Sequence, residues 1–552
     1  MTDEVYDNET LWKLYSPKPN PWFSSEIIYE GWGVATFENP SGTIEGKTRI
    51  AVDETGTLDV VMEFERLNTE VTVHGTGSFR FLKFLQADLS TGNTVGMGTD
   101  NVNPCSSLIV QTEAGIFTSD GKVFYSQGFG LDSKLRFLLS EGTYKEQNAG
   151  NPKYWVLPLT NFISSFHLLY YPELAQHPLR LFTTPIVPEM ADEKQRQMAL
   201  FAANRANTLI GFYFGELVGY IQPVLDYNEK EEKLKSGQAK RCITALMISE
   251  VSSKLEEVWF PNDYTNLISF ARGINVSAAW VEFRDDNGNL VSRKHIPQFE
   301  TDYKKEYAVI DEAIHGGLGH LISLASNSSE FGKSYFRVLI AHLIRLQPYS
   351  RHIEDQMDLL CRSFDTLCEE FGFSVQNLAK SLPDDVQTRI DEILANARRE
   401  FQELSRSASS DIKPVLQQIG SRVSNAKNTD RAFGLAVMDL LKKYELPDIT
   451  IMDKYYALHP DVQGRSWVQT LTKYRGAAIH TGYFSHENYD IQDVLVLEDH
   501  LHDILVRIAL KILNYQGTYQ PRVIRYLVDG KNIQWVDEDT PAIKLGYKSP
   551  II

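Results

Sequence analysis

The chain has 552 residues, of which 43% are hydrophobic and 23% are charged, as is typical of globular proteins with two or three domains. Its formal net charge of −17 excludes a generally basic surface for duplex DNA, so any contact with nucleic acid must be local. The acidic start is no secretory signal, and no apolar run reaches membrane-spanning length. Four cysteines form no CxxC pair, which indicates reduced thiols. We therefore expect a cytoplasmic protein with no membrane partner.

Short extended segments separated by turn residues dominate the chain from about residue 32 to residue 296. Residues 57–64 partly alternate between apolar and polar, which is typical of a half-buried strand. Residues 209–214 and 216–221 are apolar runs around a glycine, and they indicate two buried strands. Asn287-Gly288 predicts a hairpin between residues 279–283 and 290–292.

The charged run 228–237, which contains the acidic string Glu229 to Glu232, indicates a solvated loop. Together, these patterns predict one β-rich domain over residues 1–300, built from one sheet or from two sub-sheets.

Helical periodicity replaces this pattern after about residue 305. Apolar residues recur at steps of three and four in segments 307–315, 335–342, 353–371, 384–404, 414–423, 431–441, 464–482 and 491–513. These segments predict an α-helical bundle over residues 301–515. Asp529-Gly530 predicts a short hairpin in the tail, residues 516–552. The expected fold class is α+β and multidomain: a β-rich N-terminal half, an all-α bundle and a short C-terminal β-hairpin.

The stretch from Gly464 to Gly482 holds the strongest functional candidate. Trp467, Leu471, Tyr474 and Ala478 form one apolar stripe of a helix that Gly482 can end. Near its end stand Arg475 and His480, two residue types that can hold a phosphate and move a proton at neutral pH. On an ideal helix they lie about 140° apart and about 7.5 Å apart along the axis. They converge if the helix loosens at Gly476 or Gly482, or if a second subunit completes the site.

The same two residues could instead have no catalytic role. Arg475 would then be a surface arginine, and His480 would be a histidine at the helix C-terminus that interacts favourably with the helix dipole. An Arg-x4-His spacing arises by chance in a chain with 13 histidines, and it recurs at Arg337–His342 and, more loosely, at Arg345–His352. His342 lies among apolar residues, which favours a packing role.

Other candidate sites are weaker. His500 and His502 lie beside Glu498, Asp499 and Asp503, but residues at i and i+2 of a helix point apart, so we expect no metal site there. The stretch His315 to His320 is glycine-rich and predicts a loop. Cys361 and Cys368 are two turns apart on one helix and are expected to pack. Common cofactor motifs are absent from the sequence, so no cofactor is expected.

Arg475-Gly-Ala-Ala-Ile-His480, late in a helical domain, resembles the Arg-x4–6-His signature of the HEPN superfamily. Many of its members are metal-independent ribonucleases. The order of a β-rich half, a helix around Arg351–Met357 and then the Arg–His helix also resembles the ApeA-like anti-phage branch. The part of the chain that resembles a HEPN domain spans residues 305–515. The residue after the arginine is often polar in active members, and here it is Gly476.

This resemblance implies an endoribonuclease of an abortive-infection system, active as a homodimer or higher even oligomer. The RNA 2′-OH would be the nucleophile, leaving a 2′,3′-cyclic phosphate. His480 would be general base or acid, and Arg475 would stabilise phosphoryl charge. Lys473, Tyr474 and Glu354 are candidate substrate-binding residues, although Tyr474 also continues the core stripe and Glu354 also fits a solvated helix acid. The partners would be an RNA substrate, for example tRNA or mRNA, and a phage-derived trigger protein. The β-rich half would be the regulator.

Two other functions remain open from the sequence. Gly476 and the negative net charge of the chain favour a non-catalytic HEPN scaffold, which would serve dimerisation or bind a nucleotide or other ligand. The aromatic-rich first half also fits a carbohydrate- or peptide-binding β protein with a helical oligomerisation tail, although aromatic residues in sheets are usually core.

Overall fold

A computed structural model describes most of the helical half of the chain and the central strands of the β-rich half. The described residues are 26–38, 42–52, 58–63, 103–105, 107–119, 123–128, 134–139, 142–164, 209–214, 217–224, 227–251, 260–278, 280–295, 302–305, 308–310, 317–347, 352–377, 382–424, 426, 428–430, 432–446, 466–480, 484, 491–516, 518–519, 522, 527–528, 531–532 and 543–544. The chain divides into two compact units, Met1–Gly332 and Lys333–Ile552. The change from strand to helix patterns in the sequence predicts this boundary near residue 300 instead.

The first unit is built on one antiparallel sheet, as the predicted β-rich half requires. Its described strands are β1 (Glu26–Glu38), β2 (Gly42–Val52), β3 (Leu58–Glu63), β4 (Asn103–Cys105), β5 (Ser107–Thr112), β6 (Gly115–Ser119), β7 (Val123–Gly128), β8 (Lys134–Leu139), β9 (Gly142–Glu146), β10 (Tyr154–Thr160), β11 (Ile210–Phe214), β12 (Leu217–Pro223), β13 (Ile243–Glu250), β14 (Trp280–Arg284) and β15 (Leu290–His295). Their order is β11-β12-β13-β10-β14-β15-β9-β6-β5-β1-β2-β3-β8-β7-β4.

The sheet has two kinds of strand. In β5 buried and exposed residues alternate, so one face packs and the other faces water. In β10 and β13, which pair with each other, nearly every residue is buried, so both faces of this part are covered. The predicted strand 57–64 and the hairpins β11–β12 and β14–β15 are confirmed. Gly288 takes a positive φ in the turn between β14 and β15.

A charged cluster lies buried on the β14–β15 hairpin. Glu282 accepts hydrogen bonds from Arg284 and Arg293, each through Nη2 at 2.6 Å, and from Trp280 Nε1 at 3.2 Å. The guanidinium of Arg293 also lies 4.7 Å from the Trp280 ring centroid. Burial, and then the charge of Arg293, hold the pKa of the neighbouring His295 well below its usual value, so this ring is neutral. One carboxylate thus holds two cations inside the sheet.

Three described helices belong to the first unit: α1 (Tyr227–Lys235), α2 (Phe260–Arg272) and α3 (Gly317–Asn327). The expected loop at 228–237 is wrong, because most of it forms α1. Ion pairs at i and i+4, Glu229–Lys233 and Glu231–Lys235, stabilise this helix, and Leu234 packs inward.

Two further expectations fail near the end of this unit. Residues 308–310, inside the predicted helix 307–315, are not helical, because the amides of Val309 and Ile310 both donate to the carbonyl of Ala271 at the end of α2. The predicted loop at His315–His320 is wrong from Gly317 onward, where α3 begins. Gly319 lets α3 approach β11 closely, since an added Cβ would overlap the carbonyl oxygen of Gly211.

The second unit is mainly helical, as predicted. Its described helices are α4 (Ser334–Leu346), α5 (Ile353–Glu370), α6 (Asp384–Ser407), α7 (Lys413–Ser424), α8 (Phe433–Lys443), α9 (Trp467–His480) and α10 (Ile491–Ile512). The apolar stripe of α5 that the sequence predicts is buried at Met357, Leu360, Phe364 and Leu367. Helices α4, α8, α9 and α10 all pack against α5, which makes α5 the centre of this unit.

Short strand pairs complete the second unit. β16 (Val375–Asn377) pairs with β17 (Asn428–Asp430), and β18 (Thr518–Tyr519) pairs with β21 (Ile543–Lys544). β19 (Leu527–Val528) pairs with β20 (Lys531–Asn532), at the place of the predicted C-terminal hairpin. The turn at Asp529-Gly530 lies outside the described residues, so that hairpin stays a prediction. Within the described part of the chain, no helix combines the length and the apolar character that crossing a bilayer requires.

We predict that Glu282→Gln lowers the free energy of unfolding by about 3–5 kcal/mol, because it leaves two buried guanidinium groups without a counter-charge. Urea unfolding followed by tryptophan fluorescence measures this change. The matched control is Glu30→Gln on the same sheet, whose ion pair with Lys47 is exposed, and which is expected to cost under about 1 kcal/mol. Equal losses in the two variants would contradict the structural role of the buried cluster.

Candidate active site

Helix α9 begins with a reciprocal cap. Ser466 Oγ accepts a hydrogen bond from the amide of Gln469 at 3.3 Å, and Gln469 Oε1 accepts one from the amide of Ser466 at 3.1 Å. This Ser-x-x-Gln pattern is a capping box, which satisfies two of the free amides at a helix start. The capping box therefore determines where α9 begins, and this start sets the position of each later residue along the helix.

The buried face of α9 is the predicted apolar stripe. Leu471 and Tyr474 are both buried, and the Tyr474 ring packs edge-on against Phe484 with centroids 5.9 Å apart. The side chains of Trp467 and Ala478, and the predicted helix stop Gly482, lie outside the described residues. A buried ring offers no face to a nucleic-acid base, so the position of Tyr474 favours the core role over base stacking.

Arg475 lies where α9 meets α5 and α8. Its Nη2 donates to Asp365 Oδ2 at 3.2 Å, and its guanidinium stacks 4.5 Å from the centroid of the Phe433 ring. The side chain remains 31% exposed. Within the described part of the chain, Nε is buried and has no hydrogen-bond partner. The guanidinium is thus oriented by an aromatic face and a carboxylate while some of its donors stay available.

A buried thiol lies under this arginine. Cys361 is fully buried on α5, and burial raises its pKa to about 12 even though the charge of Arg475 acts in the opposite direction. The thiol is therefore neutral and packs as the sequence predicts, as does Cys368. Neither is positioned as a nucleophile.

The face of α5 toward α9 is lined at helical steps by Glu354, Asp358, Cys361 and Asp365. At one end Asp365 holds Arg475, and at the other end Glu354 Oε1 accepts the amide hydrogen of Phe484 at 3.2 Å. Asp358 pairs with Arg362 of its own helix. Glu354 therefore anchors the chain just after α9, which differs from the solvated acid that was one of its expected roles.

His480 is the last residue of α9, and its side chain lies outside the described residues. The helix continues unbroken through Gly476, so the loosening at Gly476 that would let Arg475 and His480 converge is not observed. The two positions are five residues apart on a regular helix, about 7.5 Å along its axis. A second subunit remains as the route to a complete site. Lys473 has its Nζ 5.8 Å from the Tyr474 ring centroid and is partly exposed on the same helix.

In the competing Arg337–His342 pair, the histidine makes a packing contact. His342 Nδ1 lies 2.9 Å from Ser363 Oγ, between α4 and α5, and burial lowers its pKa. This contact fits the packing histidine that the sequence favours. His352 of the looser pair stands at the N-terminus of α5 and is exposed.

The buried polar residues of α10 form an ion-paired cluster. Arg522 donates through Nε to Asp499 at 2.7 Å, through its amide to Asp503 at 2.8 Å and through Nη1 to the Leu346 carbonyl at 2.9 Å. His500 and His502 are buried on the same helix. Among the described residues, no group of three or more His, Cys, Asp or Glu side chains is arranged to hold a metal ion.

A cavity of about 320 Å³ opens between α4 and α5, lined by Ser334, Tyr335, Val338, Thr366, Glu369 and Glu370. Its two carboxylates would repel a phosphate, so it does not compete with Arg475 as an anion site.

Sequence reasoning missed Asp365 and Phe433. They lie 110 and 42 positions from Arg475, and each has an ordinary place in its own helix. Asp365 follows Phe364 of the α5 stripe, which is its only sequence signal, and nothing marks either residue as a partner of an arginine in α9.

Two helical glycines of this region are expected to respond oppositely to alanine. Gly476→Ala should raise the stability of the second unit by about 0.5–1 kcal/mol, because a Cβ there meets no atom of the described residues within 4 Å and alanine favours the helix over glycine. Gly434→Ala should lower it, because a Cβ there would lie 3.0 Å from Thr472 Oγ1 at the contact of α8 with α9. Thermal unfolding of both variants tests this. A loss of stability in Gly476→Ala would show that this face of α9 is covered.

Comparison of the chain with protein-family models, with curated proteins and with solved structures finds no match. The functional interpretation of α9 therefore depends on the geometry around Arg475 and on the resemblance of the Arg475–His480 segment to the HEPN signature.

Proposed function

We propose that this protein is an endoribonuclease whose active site is built from Arg475 and His480 of two subunits, as in the HEPN ribonucleases that the motif resembles. The observation that carries this proposal is the state of Arg475. Its guanidinium is held against Phe433 and remains partly exposed. An arginine placed in this way can present several donors to one phosphate.

The reaction is an intramolecular transesterification of RNA. One His480 imidazole removes the proton from a ribose 2′-OH, the O2′–P bond forms, and the P–O5′ bond breaks. A second imidazole gives a proton to the leaving 5′ oxygen, so the products are a 2′,3′-cyclic phosphate and a 5′-OH. Arg475 stabilises the charge that develops on the phosphoryl oxygens.

The need for two imidazoles explains why we propose a homodimer. One copy of α9 supplies a single Arg475 and a single His480. Among the described residues the face of α9 at Gly476 is open, since an added Cβ would meet none of their atoms within 4 Å. A two-fold axis beside this face would bring both pairs to the two sides of one RNA strand. Lys473, partly exposed on α9, would add a phosphate contact.

Regulation is part of the proposal, because an unrestrained ribonuclease would damage its own cell. We assign the restraint to the β-rich first unit and propose an anti-phage role in abortive infection, with a phage-derived protein as trigger. The similar order of domains in the ApeA-like branch supports this assignment. tRNA or mRNA would be the substrate.

A non-catalytic HEPN scaffold is the second candidate. The observation that favours it is the Arg475–Asp365 ion pair, which partly neutralises the guanidinium, together with Gly476 in place of the polar residue of many active members. In that case α9 would serve dimerisation or binding of a nucleotide or other ligand, without cleavage.

We predict that His480→Ala lowers RNA cleavage by about 10²–10⁴-fold, because it removes the acid–base group. Arg475→Ala should lower it by about 10²–10³-fold, because it removes the charge that stabilises the transition state. Total RNA incubated with purified protein, with and without extract of infected cells, gives the cleavage rate, and analysis of product ends identifies the cyclic phosphate.

The matched controls are His352→Ala and Arg362→Ala, which replace an exposed histidine and an exposed arginine of the same unit and should leave the rate unchanged. Full activity of His480→Ala would refute the assigned mechanism. The absence of cleavage by the parent protein with every extract would favour the scaffold instead.

Asp365→Asn is expected to lower the KM for RNA about three- to fivefold, because the substrate phosphate no longer competes with a carboxylate for Arg475. A partly exposed ion pair is worth up to about 1 kcal/mol, which sets this size. Phe433 still orients the guanidinium in this variant, so kcat should change little. Steady-state cleavage of a short RNA at low salt measures both constants. Asp358→Asn, which disrupts the Asp358–Arg362 pair, is the control. A lower kcat in Asp365→Asn would instead make Asp365 a residue needed to position Arg475.

A further inference from the structure

Helix α9 ends at His480, the residue to which the proposed reaction assigns proton transfer. The last turn of a helix has carbonyl groups without intrahelical partners, and helix ends fray. A general acid or base must nevertheless lie within about 2.6–3.2 Å of the proton that it moves, and a displacement of about 1 Å can lower a rate about 100-fold. Contacts beyond the end of α9 are therefore needed to hold this position.

Phe484, four residues after His480, is held by two different helices. Its ring packs edge-on against Tyr474 of α9, with the ring centroids 5.9 Å apart, and both residues are buried. Its amide donates a hydrogen bond to Glu354 Oε1 of α5 at 3.2 Å. The ring contact therefore ties Phe484 to α9, and the backbone contact ties it to α5.

The Tyr474–Phe484 contact closes a loop of chain that contains His480. On a regular helix His480 lies about 9 Å along the axis from Tyr474, and the chain from His480 to Phe484 can span at most about 14 Å. The ring contact joins two parts of this loop to each other. The hydrogen bond to Glu354 joins the loop to a second helix.

Helix α5 also holds the other residue of the motif. Asp365 accepts a hydrogen bond from Arg475, and it follows Glu354 by eleven residues along α5. Eleven residues make close to three helical turns, so Glu354 and Asp365 lie on the same face, about 16 Å apart along the axis. Arg475 and the chain next to His480 are thus both attached to one face of one helix, which sets their spacing even if the end of α9 frays.

Glu354 has a favourable place for this role. It lies in the first turn of α5, where the helix dipole stabilises a carboxylate, and it is partly buried. Asp355, the other acid of this turn, is exposed. The two acids share the interaction with the dipole, but in the described part of the chain it is Glu354 that contacts Phe484.

We infer, on the basis of the proposed ribonuclease function, that Glu354 is a positioning residue for His480. It accepts the hydrogen bond of the Phe484 amide and so holds the end of α9 at a fixed place relative to Asp365 and Arg475. The role requires an acceptor oxygen at this place and does not require its charge. The resemblance to HEPN proteins suggests substrate binding for Glu354 instead, a role in which the carboxylate itself would contact the RNA.

Two substitutions of Glu354 separate these roles. Glu354→Gln keeps an oxygen that can accept the amide hydrogen and removes the charge, whereas Glu354→Ala removes both. Under conditions in which the parent cleaves a short RNA, kcat should fall about 10–100-fold in Glu354→Ala and stay within about threefold of the parent in Glu354→Gln. KM should change by less than about twofold in both, because Arg475 still binds the phosphate. Asp355→Ala is the matched control and should behave as the parent.

Hydrogen exchange of the full-length protein reports on the contact without any RNA. In Glu354→Ala the Phe484 amide loses its acceptor, so exchange in peptides that contain residue 484 should be at least about tenfold faster than in the parent. Glu354→Gln should restore slow exchange, and Asp355→Ala should leave it unchanged. Unchanged exchange of α10 in the same samples shows that each variant is folded.

The outcomes separate this positioning role from the proposed function. Loss of cleavage in His480→Ala together with full activity in Glu354→Ala would overturn the positioning role and leave the ribonuclease in place. Equal loss of kcat in Glu354→Gln and Glu354→Ala would also overturn it, because the carboxylate itself would then be needed, as in substrate binding. Unchanged exchange at residue 484 in Glu354→Ala would show that Glu354 does not hold the chain after α9, whether or not the protein cleaves RNA.

Discussion

The second unit depends on the way in which α5 holds α9. One end of that contact is the Arg475–Asp365 ion pair, and the other is the hydrogen bond from the Phe484 amide to Glu354. Between them Cys361 is fully buried and neutral. The guanidinium of Arg475 lies at the edge of this contact, with Phe433 of α8 beneath it. Three helices therefore fix the position of one cation, and the chemistry that we propose for α9 depends on that position.

The Glu282 cluster and the Arg475–Asp365 pair contrast in a way that separates structure from function. Glu282 is fully buried and is bonded to two arginines and a tryptophan, so loss of its carboxylate would leave two cations inside the sheet without a counter-charge. Asp365 and Arg475 share one hydrogen bond and are 43% and 31% exposed, so water or an anion can replace either partner at small cost. The first arrangement suits a fixed scaffold. The second suits the phosphate-binding role that we propose for Arg475.

The elements that sequence predicted correctly are those whose periodicity and burial agree. The stripe of α5 and the Asn287-Gly288 turn are local signals, and both appear where the pattern places them. Helix α1 was missed because its charged residues read as a solvated loop, although ion pairs at i and i+4 stabilise it as a helix. Helix α3 was missed because Gly319 serves close packing on β11, which is a tertiary contact. For the candidate site, the Arg475–His480 spacing was visible in the sequence, whereas Asp365 and Phe433 were not, since only the folded chain brings them to α9.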